Sequence, residues 1–221
     1  DTLQGQVAGL SDDLAALRAR PEVDPARIGV WGGSRGGELS LILAAIDPAI
    51  RAVVAEVPSG YVWGSAASLG RAAWTLAGEE VPYVPSSGAF GETFVDDEGT
   101  HLATRSAFFA DIAAATAEEL AAARTPVEQS SASFLFLAGV AMDRLVASGH
   151  AAERGDELHC FAGTGHAIGL PGSSTNGLDE VFLPGFGLWL VLGGTPRATG
   201  RAQREANTIM RAFLAGKLGG P

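Results

Sequence analysis

Ser34 stands in Gly32-Gly33-Ser34-Arg35-Gly36, a G-x-S-x-G. A serine hydroxyl is a weak nucleophile until a histidine takes its proton and an acid orients that histidine. The flanking residues suit a serine presented on a sharp turn. Ile28-Gly29-Val30-Trp31 is a short apolar run of strand type, and residues 38–46 have helical composition. Small residues two before and two after the serine let the backbone approach itself, which pushes Oγ out at the top of a sheet. The N-terminus of the following helix favours developing negative charge. A glycine-rich phosphate loop is the competing reading, but no G-K-[ST] follows and the spacing misses G-x-G-x-x-G. The pattern predicts a nucleophile elbow.

Four histidines compete for the role of base. His101 falls in an irregular stretch, His150 in a predicted helix and His159 inside a strand. His166 stands in Gly163-Thr164-Gly165-His166-Ala167, a glycine-flanked loop after a strand, where a base can hang over the strand ends. For the acid, Asp143 follows a strand by a few residues. Asp96, Asp97 and Asp111 lie in or beside the irregular stretch, and Asp156 precedes a strand. Ser34, Asp143 and His166 keep the serine–acid–histidine order of α/β-hydrolases.

Those residues need a scaffold. Residues 10–20 read as an amphipathic helix stopped by Pro21. Ile28-Gly29-Val30-Trp31, Ala52-Val53-Val54-Ala55-Glu56-Val57, Phe134-Leu135-Phe136-Leu137-Ala138 and residues 157–161 read as strands. Residues 107–124, 144–153 and 201–218 read as helices, and residues 60–99 as an irregular insertion. Short, uniformly apolar strands separated by helices indicate a parallel sheet buried on both faces. The expected class is α/β, one α/β-hydrolase-type core over residues 1–221 with an irregular insertion at about 60–125.

Composition agrees. The 221 residues are 47% hydrophobic and 18% charged, unlike a disordered segment. A net charge of -10 argues against wrapping nucleic acid. No run of about 20 apolar residues offers a membrane span, and the sole cysteine, Cys160, has no internal partner for a disulfide. With no visible signal peptide, the expected location is cytoplasmic. No H-E-x-x-H or C-x-x-C supports a metal, so no cofactor is expected.

Further segments resemble a known family. Arg20-Pro21-Glu22-Val23, the run from Ile28 through Gly36-Gly37-Glu38-Leu39, and Thr125-Pro126-Val127-Glu128 look like the C-terminal catalytic domain of acyl-CoA thioesterases and bile acid-CoA:amino acid N-acyltransferases. Asp143-Arg144-Leu145-Val146-Ala147-Ser148, Gly163-Thr164-Gly165-His166 and Gly193-Gly194-Thr195-Pro196 extend the likeness over nearly the whole chain. Dienelactone hydrolases and prolyl-oligopeptidase-like enzymes are near relatives. The resemblance implies Ser34 as nucleophile, His166 as base, Asp143 as orienting acid and the Arg35 N–H as an oxyanion donor. The Gly139–Asp143 spacing is one residue longer than the family's glycine–acid–acid turn, and Val146 replaces its tryptophan. Transferase members generally carry cysteine at the nucleophile, so Ser34 points to hydrolysis. The implied substrate is a small-molecule acyl thioester or ester, with acyl transfer to an amine as the alternative.

An α/β-hydrolase takes its second oxyanion donor from a loop after an earlier strand. In the sequence, no such strand is legible before the first helix. The expectation is a core lacking its first strands, completed by an upstream segment or second polypeptide, and otherwise an aggregation-prone, non-catalytic fragment. Two features stay open. Arg197, Arg201, Arg204 and Arg211 could meet coenzyme A phosphates or form a solvated helix face. Trp63, Trp74, Tyr83 and Phe90, like Phe182, Leu183, Phe186, Leu188 and Trp189, could line an acyl pocket or build local core.

Overall fold

The architecture comes from a computed structural model, which describes residues 5–65, 70–139, 156–169 and 179–219. At its centre lies a parallel sheet of four strands, β2 (Ile28–Gly33), β3 (Ile50–Glu56), β8 (Ser133–Gly139) and β9 (Glu157–Phe161), in that spatial order. Val53 pairs with Val30 on one side and Phe134 on the other, and Leu137 pairs with His159. Side chains alternate between the faces. Ile28, Val53, Ala55, Phe134 and Phe136 pack with Leu41, Ile42 and Leu43 of α2 (Arg35–Ile46). Ala52, Val54, Leu135 and Leu137 pack with Ala202, Ala206 and Phe213 of the C-terminal helix α5 (Pro196–Leu218). Both faces are therefore covered, which explains strands without polar alternation. The α/β class holds, with helices flanking a parallel sheet.

Around this core, β1 (Gly5–Gln6) and α1 (Val7–Arg18) lead in, and β1 pairs with β4 (Trp74–Leu76), itself paired with β5 (Glu79–Glu80). The stretch expected to be irregular also holds β6 (Glu92–Val95) and β7 (Thr100–Ala103). These join β10 (Glu180–Leu183) and β11 (Leu188–Val191) in a second sheet of order β10-β11-β7-β6. Its strands are four residues each, and their pairing unites residues 88 positions apart, Trp189 of β11 with His101 of β7. Neither half carries the full signal alone.

The single helix expected over residues 107–124 is two, α3 (Arg105–Ala114) and α4 (Ala117–Ala123). Thr116 breaks it. Its side chain accepts from the Glu119 N–H while the Glu119 carboxylate accepts from the Thr116 N–H, a capping box that starts a new helix. The helix expected over residues 144–153 lies outside the described residues.

Candidate active site

The turn between β2 and α2 is set by one close crossing. A Cβ at Gly32 would lie 2.2 Å from the Gly36 carbonyl oxygen, so only glycine fits. A Cβ at Gly36 would meet nothing within 4 Å. The requirement at position 36 is for its backbone to approach Gly32, which revises the symmetrical expectation. Ser34 takes φ 55° and ψ -119°, outside the range L-residues prefer. Such conformations cost on the order of 1–3 kcal/mol and persist when surrounding bonds over-determine them. Here the Ser34 N–H donates to the Glu56 carbonyl at 2.8 Å and the Ser34 carbonyl accepts from the Glu38 N–H at 3.1 Å.

His166 reaches this serine from the far side of the sheet. Its Nε2 lies 2.7 Å from Ser34 Oγ. The loop that carries it is clamped on both sides. The His166 N–H donates to the Leu192 carbonyl at 2.8 Å, and Gln203 Nε2 on α5 donates to the Ala167 carbonyl at 2.8 Å. Gly165 crosses Gly193 so closely that a Cβ there would lie 1.8 Å from the Gly193 oxygen. The glycines beside His166 thus serve backbone packing. Burial holds the imidazole below the ordinary histidine range, favouring the neutral form that can accept a proton.

Arg35 is the first residue of α2, so its N–H has no partner within the helix. Its guanidinium donates from Nη1 to both Glu38 oxygens, at 3.0 and 3.3 Å, and to the Trp63 carbonyl at 3.0 Å. Its Nη2 donates to the Gly64 carbonyl. Glu38 is 1% exposed and also accepts from Trp74 Nε1 at 2.6 Å. Desolvation raises its pKa, against the Arg35 charge and the bonds from Trp74, Arg35 and Trp63. This network is not among the sequence expectations, although Gly36-Gly37-Glu38 lies at the end of the family-like run that begins at Ile28. An arginine and a glutamate three apart at a helix start were its only local trace.

Asp143 lies outside the described residues, as does His150. Of the other candidate acids, Asp97 is exposed and three have structural partners. Asp111 accepts from the N–H and hydroxyl of Ser87, Asp156 from the Phe134 N–H, and Asp96 sits 2.9 Å from His101. His159 lies 3.2 Å from Glu157 on β9. The aromatics of the insertion divide. Trp63 is buried with Val84 and Ala123, Trp74 and Tyr83 pack on the main core, and Phe90 is exposed. Arg197, Arg201, Arg204 and Arg211 are all exposed on α5. Among the described residues, no group of three or more His, Cys, Asp or Glu is placed to hold a metal ion, and no helix is long and apolar enough to cross a membrane.

Residues 11–220 match the family model described as BAAT / acyl-CoA thioester hydrolase C terminal. Acyl-coenzyme A thioesterase 2, mitochondrial, of Mus musculus is 27% identical over 215 residues, 92% of this chain and 43% of that protein. Thiohydrolase apmlB of Arthrinium phaeospermum is 39% identical over 54 residues, 24% of this chain and 18% of that protein. This chain thus spans less than half the length of the curated relatives it matches. Among solved structures, an acylaminoacyl peptidase of Pyrococcus horikoshii aligns with TM-score 0.49 and 15% identity over 93% of this chain and 27% of that one. A puromycin-hydrolysing peptidase of Mycobacterium tuberculosis aligns with TM-score 0.48 and 14% identity over 96% of this chain and 25% of that one.

Proposed function

The chain belongs to the BAAT / acyl-CoA thioester hydrolase C-terminal family, and from that membership we propose that it is a serine hydrolase that cleaves an acyl thioester or ester through an acyl-enzyme on Ser34. The 2.7 Å contact between His166 Nε2 and Ser34 Oγ carries this reading. His166 Nε2 takes the hydroxyl proton as Oγ bonds to the substrate carbonyl carbon. The resulting oxyanion is held by the Arg35 N–H at the start of α2. As the tetrahedral species collapses, the bond to sulfur or oxygen breaks and His166 returns its proton to the leaving group. Water then attacks the acyl-enzyme as His166 takes its proton, and on collapse the bond to Ser34 Oγ breaks, His166 returns the proton to that oxygen and the acid departs. Asp143 is proposed as the group that holds the imidazole tautomer.

Among the described residues β2 is paired on one side only, and Trp31 on that strand is 50% exposed. We assign that open edge to a further polypeptide strand, whose loop supplies a second oxyanion donor. Losing one such donor costs roughly 10²–10³ in rate, so supplying the segment should raise turnover by that factor.

A fluorophosphonate probe and a panel of acyl-CoAs test the reading together. The probe should label Ser34, and Ser34→Ala should lose labelling and thioester cleavage, on the order of 10⁶ in kcat. Asp143→Ala should cost less than His166→Ala, as an orienting acid contributes less than the base. Equal labelling of Ser34→Ala would sink the nucleophile, and a silent Asp143→Ala would move the orienting role elsewhere. Predominant amide formation when amino acids are added would replace hydrolysis by transfer and leave the serine chemistry intact.

A further inference from the structure

Arg35 and Glu38 form a unit that the acyl-enzyme scheme does not use. A guanidinium on the residue after the nucleophile reaches back across the helix start to a carboxylate that is 1% exposed and outward to the carbonyls of Trp63 and Gly64. Trp63 is itself tied down, its Nε1 donating to Ser59 Oγ at 2.7 Å. Glu38 receives a second bond from Trp74, so the Arg35–Glu38 pair ties the turn to Trp63 and Gly64 through the guanidinium and to Trp74 through the carboxylate.

Geometry gives this unit a consequence. The direction of the Arg35 N–H is set by the tilt of the Ser34–Arg35 peptide. Arg35 is the first residue of α2 and its φ is held by the helix, so rotation at Ser34 ψ turns the N–H and the Arg35 Cα–Cβ bond together. Ser34 stands at φ 55°, a conformation from which the backbone relaxes if it is free to do so. A side chain pinned at three points opposes that relaxation. Resting on the serine-hydrolase reading above, we propose that Glu38 is a positioning residue. It holds the Arg35 guanidinium, so that the N–H aimed at the oxyanion and the Trp63–Gly64 segment keep one fixed relation.

Such a donor acts on the transition state more than on the bound substrate, so its misalignment lowers kcat and leaves KM nearly unchanged. Glu38→Gln keeps an oxygen for Trp74 but can turn an amide donor towards a guanidinium that only donates. We expect a kcat loss on the order of tenfold, a fraction of the cost of removing an oxyanion donor outright. Arg35→Met, which keeps the backbone N–H, should match it. Arg35→Lys should recover part, since an ammonium reaches Glu38 but lacks the fork that spans two carbonyls. Glu38→Gln with Arg35→Met should be no worse than Arg35→Met alone, because both cut the same chain.

Acyl-CoA hydrolysis would be followed by thiol release, with melting temperature read on every variant. Wild-type kcat in both Glu38→Gln and Arg35→Met overturns the proposal. So do additive losses that follow melting temperature and spread equally over kcat and KM, the mark of a structural pair. If Glu38→Gln does not fold, the Arg35 variants decide, since that side chain is partly exposed. Ser34→Ala is run alongside. Persistent turnover there fails the serine reading itself, whereas its loss together with unchanged Glu38 and Arg35 variants fails only this inference.

Discussion

Glu56 ends β3 with a carboxyl that is 2% exposed, and its Oε2 has no hydrogen-bond partner. A bond from Trp31 favours the ionised form, but burial outweighs it and raises the pKa. The folded state therefore keeps its proton to higher pH than the unfolded state does. The stability linked to this group is full below the unfolded value, about 4.3, and is lost as pH rises through the folded value. Glu56→Gln carries no charge at any pH. In thermal melts it should exceed the wild type at pH 8, and the gap should close as pH falls towards 4. Coincident melting curves at pH 8 would mean that the carboxylate is compensated in the folded protein. Nothing in the amino-acid order sets Glu56 apart, since its burial comes from the ends of neighbouring strands.

At the scale of the element, the strand–turn–helix unit makes unequal demands on its glycines. Alanine at position 32 would place Cβ 2.2 Å from the Gly36 oxygen, against rigid backbone. The turn would have to open and carry Ser34 away from His166. Misplacement by about 1 Å can cost 10²-fold in rate, so Gly32→Ala should slow fluorophosphonate labelling by at least that order. Gly36→Ala meets open space in the first turn of α2. It should label at the wild-type rate and gain about 0.4–1 kcal/mol in urea unfolding, by restricting the unfolded chain. Equal damage from both variants would remove the asymmetry. The G-x-S-x-G spelling marks both glycines alike, and only the direction of each missing Cβ separates them.

For the whole molecule, one histidine joins distant segments. His101 on β7 is buried, with Nε2 2.9 Å from Asp96 and Nδ1 2.9 Å from Glu180 on β10. The second contact is an ion pair without hydrogen-bond alignment. Phe94 stacks on the ring at 4.6 Å and Trp189 at 6.3 Å. The Asp96 hydrogen bond leads in raising its pKa, with both carboxylate charges adding and desolvation opposing. A raised histidine contributes stability that is full below the unfolded value of about 6.5 and fades as pH rises through the folded value. His101→Gln should thus lower melting temperature more at pH 6 than at pH 9, and proteolysis between residues 92 and 103 should rise with it. A gap independent of pH would leave His101 a stacked ring without an electrostatic share.

The α/β class, the four core strands and the strand–turn–helix around Ser34 were legible in the chain, and so was a loop placement for His166, which lies beside that serine. Each rests on a local pattern: an apolar run, a glycine cluster around a serine, a loop after a strand. The second sheet was not legible, because its strands are four residues long and become a sheet only when β7 meets β11. The break between α3 and α4 was written locally in Thr116 and Glu119, but uniform alanine composition masked it. Only the tertiary structure sets the 2.7 Å from His166 to Ser34 and ties Arg35 to Trp63 and Gly64. It also leaves Glu56 buried beside the turn. Strand order and the lie of helices decide those contacts, and residues far apart in sequence acquire them only when the sheet is assembled.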